Sequence, residues 1–186
     1  MKQTLLLDCD GPLADFSNHL LRCVGSGHTL ADVSQVDIFG LIEQWHGEAV
    51  RSEALQFCDT SAFWAMMPVV PGAQEAVELF RQHCRVRVVT KPWSSCREWH
   101  WRRTQWLKRH FGFDESDVIP VSDKSSVRGD VLLDDLPSHL VDFPGEQVLY
   151  DAPYNRGSVH SRVHWTNNKV ELSALGVVER FLKRTL

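Results

Sequence analysis

An α/β fold built on a buried parallel sheet is predicted by three features of this 186-residue chain. Short apolar runs recur at Leu5-Leu6-Leu7, Val86 to Val89, Val118-Ile119 and Val131-Leu132-Leu133, and helical stretches separate them. The runs are continuous or nearly so instead of alternating, as in strands covered on both faces. Each leads into polar residues at its C-terminal end, the edge where open α/β sheets hold their ligands.

The first strand runs into Asp8-Cys9-Asp10 and is broken at once by Gly11-Pro12, since proline cannot continue strand pairing. From there to Pro71 no strand-like run occurs. Phe16, Leu20 and Val24 form a helical stripe, and further helices are expected within 31–45 and 47–57. Residues 15–70 are therefore read as a small inserted helical cap, with 1–14 and 71–186 forming the α/β core. Pro71-Gly72 opens a helix whose apolar positions are Ala73, Ala76, Val77, Phe80 and Cys84, and it feeds the strand Arg85 to Thr90. A second helix is predicted from Ser94 to Phe111. Trp99, Trp106, Leu107 and His110 line one side of it, and the basic residues Arg97, Arg102, Arg103, Lys108 and Arg109 are read as its solvated face. A strand from Asp117 to Val121 leads to Lys124, and another from Val131 runs into Asp134-Asp135. The last third adds a strand at Gln147 to Tyr150, a short one near Val163, and a C-terminal helix whose start is blurred by Gly176. The sum is a Rossmann-like parallel sheet sandwiched by helices.

Hydrophobic residues make up 43% of the chain, enough to fill one core, and the formal net charge of -4 argues against a partner that is polymeric nucleic acid. The apolar run before Asp8 is too short for a signal peptide or a membrane span, so no membrane contact and a cytoplasmic location are expected. Five scattered cysteines, odd in number and without Cys-x-x-Cys spacing, read as reduced thiols. Cys96 and His100 lack the second pair that a zinc site would need. Trp101 is expected to be exposed and is a candidate for a homodimer contact.

Asp8 and Asp10 crowd two carboxylates at one strand mouth, which requires a cation or a shared proton to relieve their repulsion. Hard oxygen donors select magnesium, which commonly joins one or two carboxylates to a substrate phosphate. Carboxylates, a hydroxyl at Thr90, an ammonium at Lys124 and a second carboxylate pair then follow one another at successive strand ends.

That order resembles the haloacid dehalogenase superfamily across nearly the whole chain. The opening Asp8-x-Asp10-Gly11-x-Leu13-Ala14-Asp15-Phe16 is similar to the 5'(3')-deoxyribonucleotidases, as are Pro71-Gly72-Ala73 and Lys124 preceding Gly129 to Asp135. The resemblance implies a magnesium-dependent phosphomonoesterase. Asp8 would be the nucleophile, forming an aspartyl phosphate, and Asp10 the acid and then the base. Asp8, the Asp10 backbone carbonyl and Asp134 would be the magnesium ligands, with Asp135 behind them because neighbouring strand residues point oppositely. Thr90 and Lys124 would hold phosphoryl oxygens. Phe16, Phe63 and Trp64 would form an aromatic pocket for a nucleobase. Two positions depart from the family: Pro12 replaces an aliphatic residue, and Lys91 replaces a small polar one, where it could add to phosphate binding. The expected substrate is a nucleoside monophosphate, with deoxyribonucleotides favoured. A sugar phosphate or other small phosphate monoester is the alternative, and a non-catalytic phosphate-binding module is the third.

Overall fold

The computed structural model describes residues 2–166 together with 169 and 170, so the helix expected near the C-terminus lies outside the described residues. Six strands, β1 (Thr4–Asp8), β2 (Arg85–Thr90), β3 (Val118–Pro120), β4 (Val131–Asp134), β5 (Glu146–Tyr150) and β6 (Ser161–Val163), form one sheet. Its order is β3-β2-β1-β4-β5-β6, and every pairing is parallel. The chain steps outward from β1 to β3, then crosses back to β4 on the other side of β1. The order reverses between β1 and β4, which opens a crevice at their carboxyl ends. Asp8 ends one of these strands and Asp134 the other.

The continuous apolar run explains the central place of β1. Leu5, Leu6 and Leu7 are all fully buried. Leu5 and Leu7 join the larger core cluster, while Leu6 packs on the opposite face with Val89, Leu132, Leu140, Phe143 and Leu149. Period-two alternation divides the three leucines in this way, and each contributes about 1.5–3 kcal/mol on burial.

Between β1 and Pro71 lie four helices, α1 (Phe16–Cys23), α2 (Ile38–His46), α3 (Glu48–Cys58) and α4 (Ser61–Ala65). Within the segment 31–45, where helix is expected over part of the length, α2 takes only the second half. Leu30–Asp32 forms one 3-10 turn, closed when Asp32 accepts from the Thr29 amide, and α2 begins only after Asp37, whose carboxylate accepts from the Gly40 amide. Local Asp caps win here over continued helix. The chain leaves and re-enters the sheet through paired segments: the Asp15 amide donates to Pro68 at 2.9 Å and the Val70 amide to Leu13 at 2.8 Å.

After this segment, α5 (Ala73–His83) buries Ala73, Ala76, Val77 and Phe80, the stripe its spacing predicts. The next helix, α6 (Trp99–Phe111), starts at Trp99 and not at Ser94. Residues before it are diverted to a side-chain partner: Asp59 accepts from Trp93 Nε1 at 2.7 Å and from Ser95 Oγ at 2.5 Å. A second correction concerns the basic face of α6. Arg103 is fully buried, between Trp99 and Trp106 on the same stripe. Trp101 is 54% exposed. The short α7 (Pro137–Leu140) follows β4 and buries Leu140. Among the described residues no helix is long and apolar enough to cross a membrane, and all five cysteines are unpaired.

Candidate active site

Asp8 is carried to the sheet's mouth by a central strand buried from Leu5 onward, and the turn after it has a geometric requirement. Gly11 sits at φ +98°, and a Cβ there would lie 2.5 Å from the Asp135 carboxylate. A side chain at this position would be strained and would also expel Asp135.

Three buried carboxylates, from Asp8, Asp134 and Asp135, converge so that one oxygen of each lies within 4.8 Å of the others. Lys124, from the single 3-10 turn Lys124–Ser126 after β3, reaches between two of them. Its Nζ is 2.7 Å from Asp8 Oδ1 and 2.6 Å from Asp134 Oδ2. Burial would pull the ammonium's pKa down, but the flanking Asp8 and Asp134 push it above its usual value, so Lys124 stays charged. Asp134 is further held by the Leu136 amide at 2.9 Å and by His139 Nδ1 at 3.2 Å. Burial would raise Asp134, yet Lys124 and His139 overcome it and bring the carboxyl down to about 2. Asp8 goes the other way. Burial, with the Asp134 and Asp10 charges added, outweighs Lys124 and raises it to about 6. Asp135 is pushed well above the carboxylate range, first by burial and then by the Asp134 and Asp8 charges.

Three carboxylates against one ammonium leave two formal negative charges, the number a single divalent cation cancels. The donors are all hard oxygens, the chemistry that magnesium prefers, so the residues present fit that ion. The structure differs here from the alternation argument applied to Asp135. β4 ends at Asp134, so the strand's alternation no longer governs the next residue, and its carboxylate joins the cluster.

Asp10 lies outside that trio. Arg103 Nη2 donates to both of its oxygens, at 2.7 and 2.9 Å, while Nη1 donates to Cys9 Sγ at 3.1 Å. The guanidinium carbon stands 5.0 Å from the ring centre of Trp64, 5.8 Å from Trp99 and 5.9 Å from Trp106, an aromatic box that offsets some of its desolvation. Sequence reasoning placed Arg103 on the solvated face. Its spacing, four residues after Trp99 and three before Trp106, was the available signal.

Thr90 ends β2 beside Asp8, which pairs with Val89. It is fully buried, and its hydroxyl has no partner among the described residues. Such an orphaned group costs about 1–3 kcal/mol unless something outside the chain engages it.

Above these groups opens a cavity of about 370 Å³. Asp8, Asp10, Lys124 and Asp135 line its polar end together with Lys91 and His139, and Phe16, Phe39, Trp64 and Trp93 form its aromatic wall. Phe16 and Trp64 are stacked, their ring centres 6.1 Å apart. Phe63 is buried outside the lining, edge-on to Phe16 at 5.8 Å, where it supports that wall from behind. Phe39, Trp93 and His139 were missed from sequence. Trp93 had a signal, its place three residues after Thr90; Phe39 and His139 had none.

Comparison with known proteins places these features in context. Residues 2–177 match the family described as 5' nucleotidase, deoxy (pyrimidine), cytosolic type C protein. A Bordetella pertussis protein named "Putative 5'(3')-deoxyribonucleotidase" is 32% identical over 173 residues, covering 88% of this chain and 91% of that protein. The mitochondrial 5'(3')-deoxyribonucleotidase of Mus musculus is 28% identical, covering 81% and 74%. In fold, the chain is similar to a haloacid dehalogenase family hydrolase of Deinococcus radiodurans, solved with bound phosphate and sodium, at a TM-score of 0.57 and 14% identity over 97% of both chains.

Proposed function

This chain belongs to the family of deoxy (pyrimidine), cytosolic type C 5' nucleotidases, and from that premise we propose that it hydrolyses deoxyribonucleoside monophosphates through an aspartyl-phosphate intermediate on Asp8. It is a phosphoric monoester hydrolase of the 5'(3')-deoxyribonucleotidase type. The observation that carries the finer reading is the carboxylate trio with Lys124 between Asp8 and Asp134, of which Asp8, Asp135 and Lys124 line an aromatic-walled cavity.

Asp8 attacks phosphorus while the ester P–O bond breaks, and Asp10 gives the departing oxygen its proton. Water then attacks the aspartyl phosphate, Asp10 takes a proton from it, and phosphate leaves with Asp8 restored. Arg103 donates to both oxygens of the ionised Asp10 and so orients the form that takes the proton from water; Asp10 enters the first step carrying the proton that it gives to the departing oxygen. Lys124 and the unpartnered Thr90 hydroxyl hold phosphoryl oxygens, whose charge spreads in the transition state. Lys91, at the cavity rim, adds a positive charge there. Magnesium would be held by Asp8, Asp134 and Asp135, with the Asp10 carbonyl as a further donor, and would screen the phosphate's charge from the nucleophile.

Residues 15–70 act as the cap that selects the substrate, since Phe16, Phe39 and Trp64 all come from it and face the charged sheet edge across the cavity. Flat rings on that wall suit a nucleobase. Five unpaired cysteines support a reducing, cytoplasmic setting. The test is phosphate release from a panel of ribo- and deoxyribonucleoside monophosphates and sugar phosphates, with magnesium and with EDTA. Metal-dependent turnover concentrated on deoxyribonucleotides is expected. Turnover confined to sugar phosphates would refute the substrate assignment, and none on any ester would refute the catalytic one.

A further inference from the structure

Among the described residues, the side chains that hydrogen-bond to Asp135 both come from one short turn, Pro153–Asn155, after β5. The Tyr154 hydroxyl donates to Asp135 Oδ2, and Asn155 Nδ2 donates to the Asp135 backbone carbonyl at 2.8 Å. Adjacent residues thus grip both the side chain and the backbone of one site carboxylate. The turn is itself anchored. Asn155 is buried, also donates to the Tyr150 carbonyl at 2.8 Å, and accepts from Arg162 Nη1 at 2.7 Å, while Arg162 donates to Asp151 at 2.7 Å.

The two kinds of donor in this site have different electrostatic consequences. Lys124 cancels a unit of charge at Asp8 and Asp134. Tyr154 is neutral, and burial pushes its pKa above the usual phenol value, so it remains a protonated donor. It can orient Asp135 against Gly11 without removing the negative charge that a cation needs. Donors that sit behind a metal's ligands in this way typically change affinity by tenfold to a hundredfold when removed.

We propose that Tyr154 is a positioning residue that sets the affinity of the Asp8–Asp134–Asp135 cluster for a divalent cation by holding the Asp135 carboxylate. The inference rests on the magnesium reading given above. Tyr154 borders both the 370 Å³ cavity and a neighbouring one, so Tyr154→Phe keeps the dividing wall and deletes only the hydroxyl.

The experiment is calorimetric titration of magnesium into substrate-free wild-type protein, Tyr154→Phe and Asp135→Asn, with thermal unfolding in EDTA as the check on folding. Tyr154→Phe is expected to weaken magnesium binding by about 10-fold or more, with its melting temperature in EDTA close to wild type. Its kcat at saturating magnesium should be largely retained, while the magnesium concentration for half-maximal rate shifts in parallel with the calorimetric affinity. Asp135→Asn should weaken binding further. Wild-type affinity in Tyr154→Phe overturns the proposal and leaves the magnesium reading standing. A wild-type protein that binds no magnesium overturns both.

Discussion

Asp8 and Asp10 are two residues apart, and each meets a buried cation, yet they sit in opposite electrostatic situations. Arg103 satisfies Asp10 alone, from inside a box of three indole rings. Lys124 is shared between Asp8 and Asp134, with Asp135 beside them, so the Asp8 side keeps an unmet formal negative charge. The first assembly matches one cation to one carboxylate and holds a side chain in place, with Arg103 Nε the one guanidinium nitrogen left without a partner among the described residues. The second keeps a formal negative charge for a cation to meet; burial first, and then the neighbouring carboxylates, raise Asp8 to about 6 and Asp135 well above its usual range. An Asp-x-Asp motif can thus assign its two carboxylates to different tasks through the partners that the fold delivers.

The sharpest way to break the comparison is to remove a member from each half. Asp8→Asn should abolish turnover, a loss on the order of 10⁴-fold, while the protein stays folded; steady-state phosphate release and a thermal melt check this together. Arg103→Met should do the reverse in emphasis. It leaves Asp10 without its partner, and because the Asp10 side chain is 29% exposed, water takes up part of the freed charge, so the cost is about 3 kcal/mol, the low end for a buried pair. The melting temperature should fall by roughly 10 °C. Arg103→Lys should recover part of the stability but less of kcat, because an ammonium cannot reproduce the guanidinium's hold on both Asp10 oxygens and Cys9. Equal recovery of both would argue that Arg103 serves stability alone.

The unmet charge also has a pH signature. A carboxyl whose pKa is raised on folding binds more protons in the native state than unfolded, so its contribution to stability falls as pH rises from its unfolded value toward its folded one. For Asp8 that window runs from 3.8 to about 6. Metal-free protein should therefore lose on the order of 5 °C in melting temperature between pH 5 and pH 7.5. Magnesium should restore that loss at pH 7.5 and have little effect at pH 5, where protons compete for the same oxygens. Identical magnesium shifts at both pH values would count against the charge argument.

The smallest effect belongs to the contact between the aromatic wall and the loop after β2. Asp59→Ala removes the acceptor for Trp93 and Ser95. The expected result is an increase of about 3-fold in KM with kcat unchanged, since an exposed hydrogen-bond pair orders one wall of the cavity and touches no reacting atom. A change in kcat would place Trp93 closer to the chemistry.

Much of the fold was legible in the chain because its strands are buried on both faces and read as unbroken apolar runs. Leu5-Leu6-Leu7 and Val131-Leu132-Leu133 locate the two neighbours that define the crevice, and Asp8 and Asp134 follow from them directly. Arg103 was not legible as a partner of Asp10 because a basic residue in a basic series normally faces water; only its register with Trp99 and Trp106 marks it as buried. Tyr154 meets Asp135 from a turn 19 residues away, and His139 reaches back to Asp134 from within the short α7; neither contact is encoded in an apolar periodicity. Strand alternation could not place Asp135, because β4 ends at Asp134 and the next residue lies in a bend.

The central claim is that Asp8 attacks phosphorus covalently. A single turnover of deoxyribonucleoside monophosphate in ¹⁸O-labelled water, with excess enzyme and mass analysis of both the released phosphate and the peptide containing Asp8, tests it most directly. Water attacking the aspartyl phosphate at phosphorus breaks its P–O bond, labels the released phosphate and leaves Asp8 unlabelled, whereas attack at the Asp8 carboxyl carbon would break the C–O bond, label Asp8 and carry an unlabelled Asp8 oxygen into the phosphate. Trapping the phosphorylated Asp8 peptide during the same turnover, followed by labelled phosphate and an unlabelled Asp8, is the predicted result. Labelled phosphate formed with no phosphorylated Asp8 at any time in the turnover would contradict it.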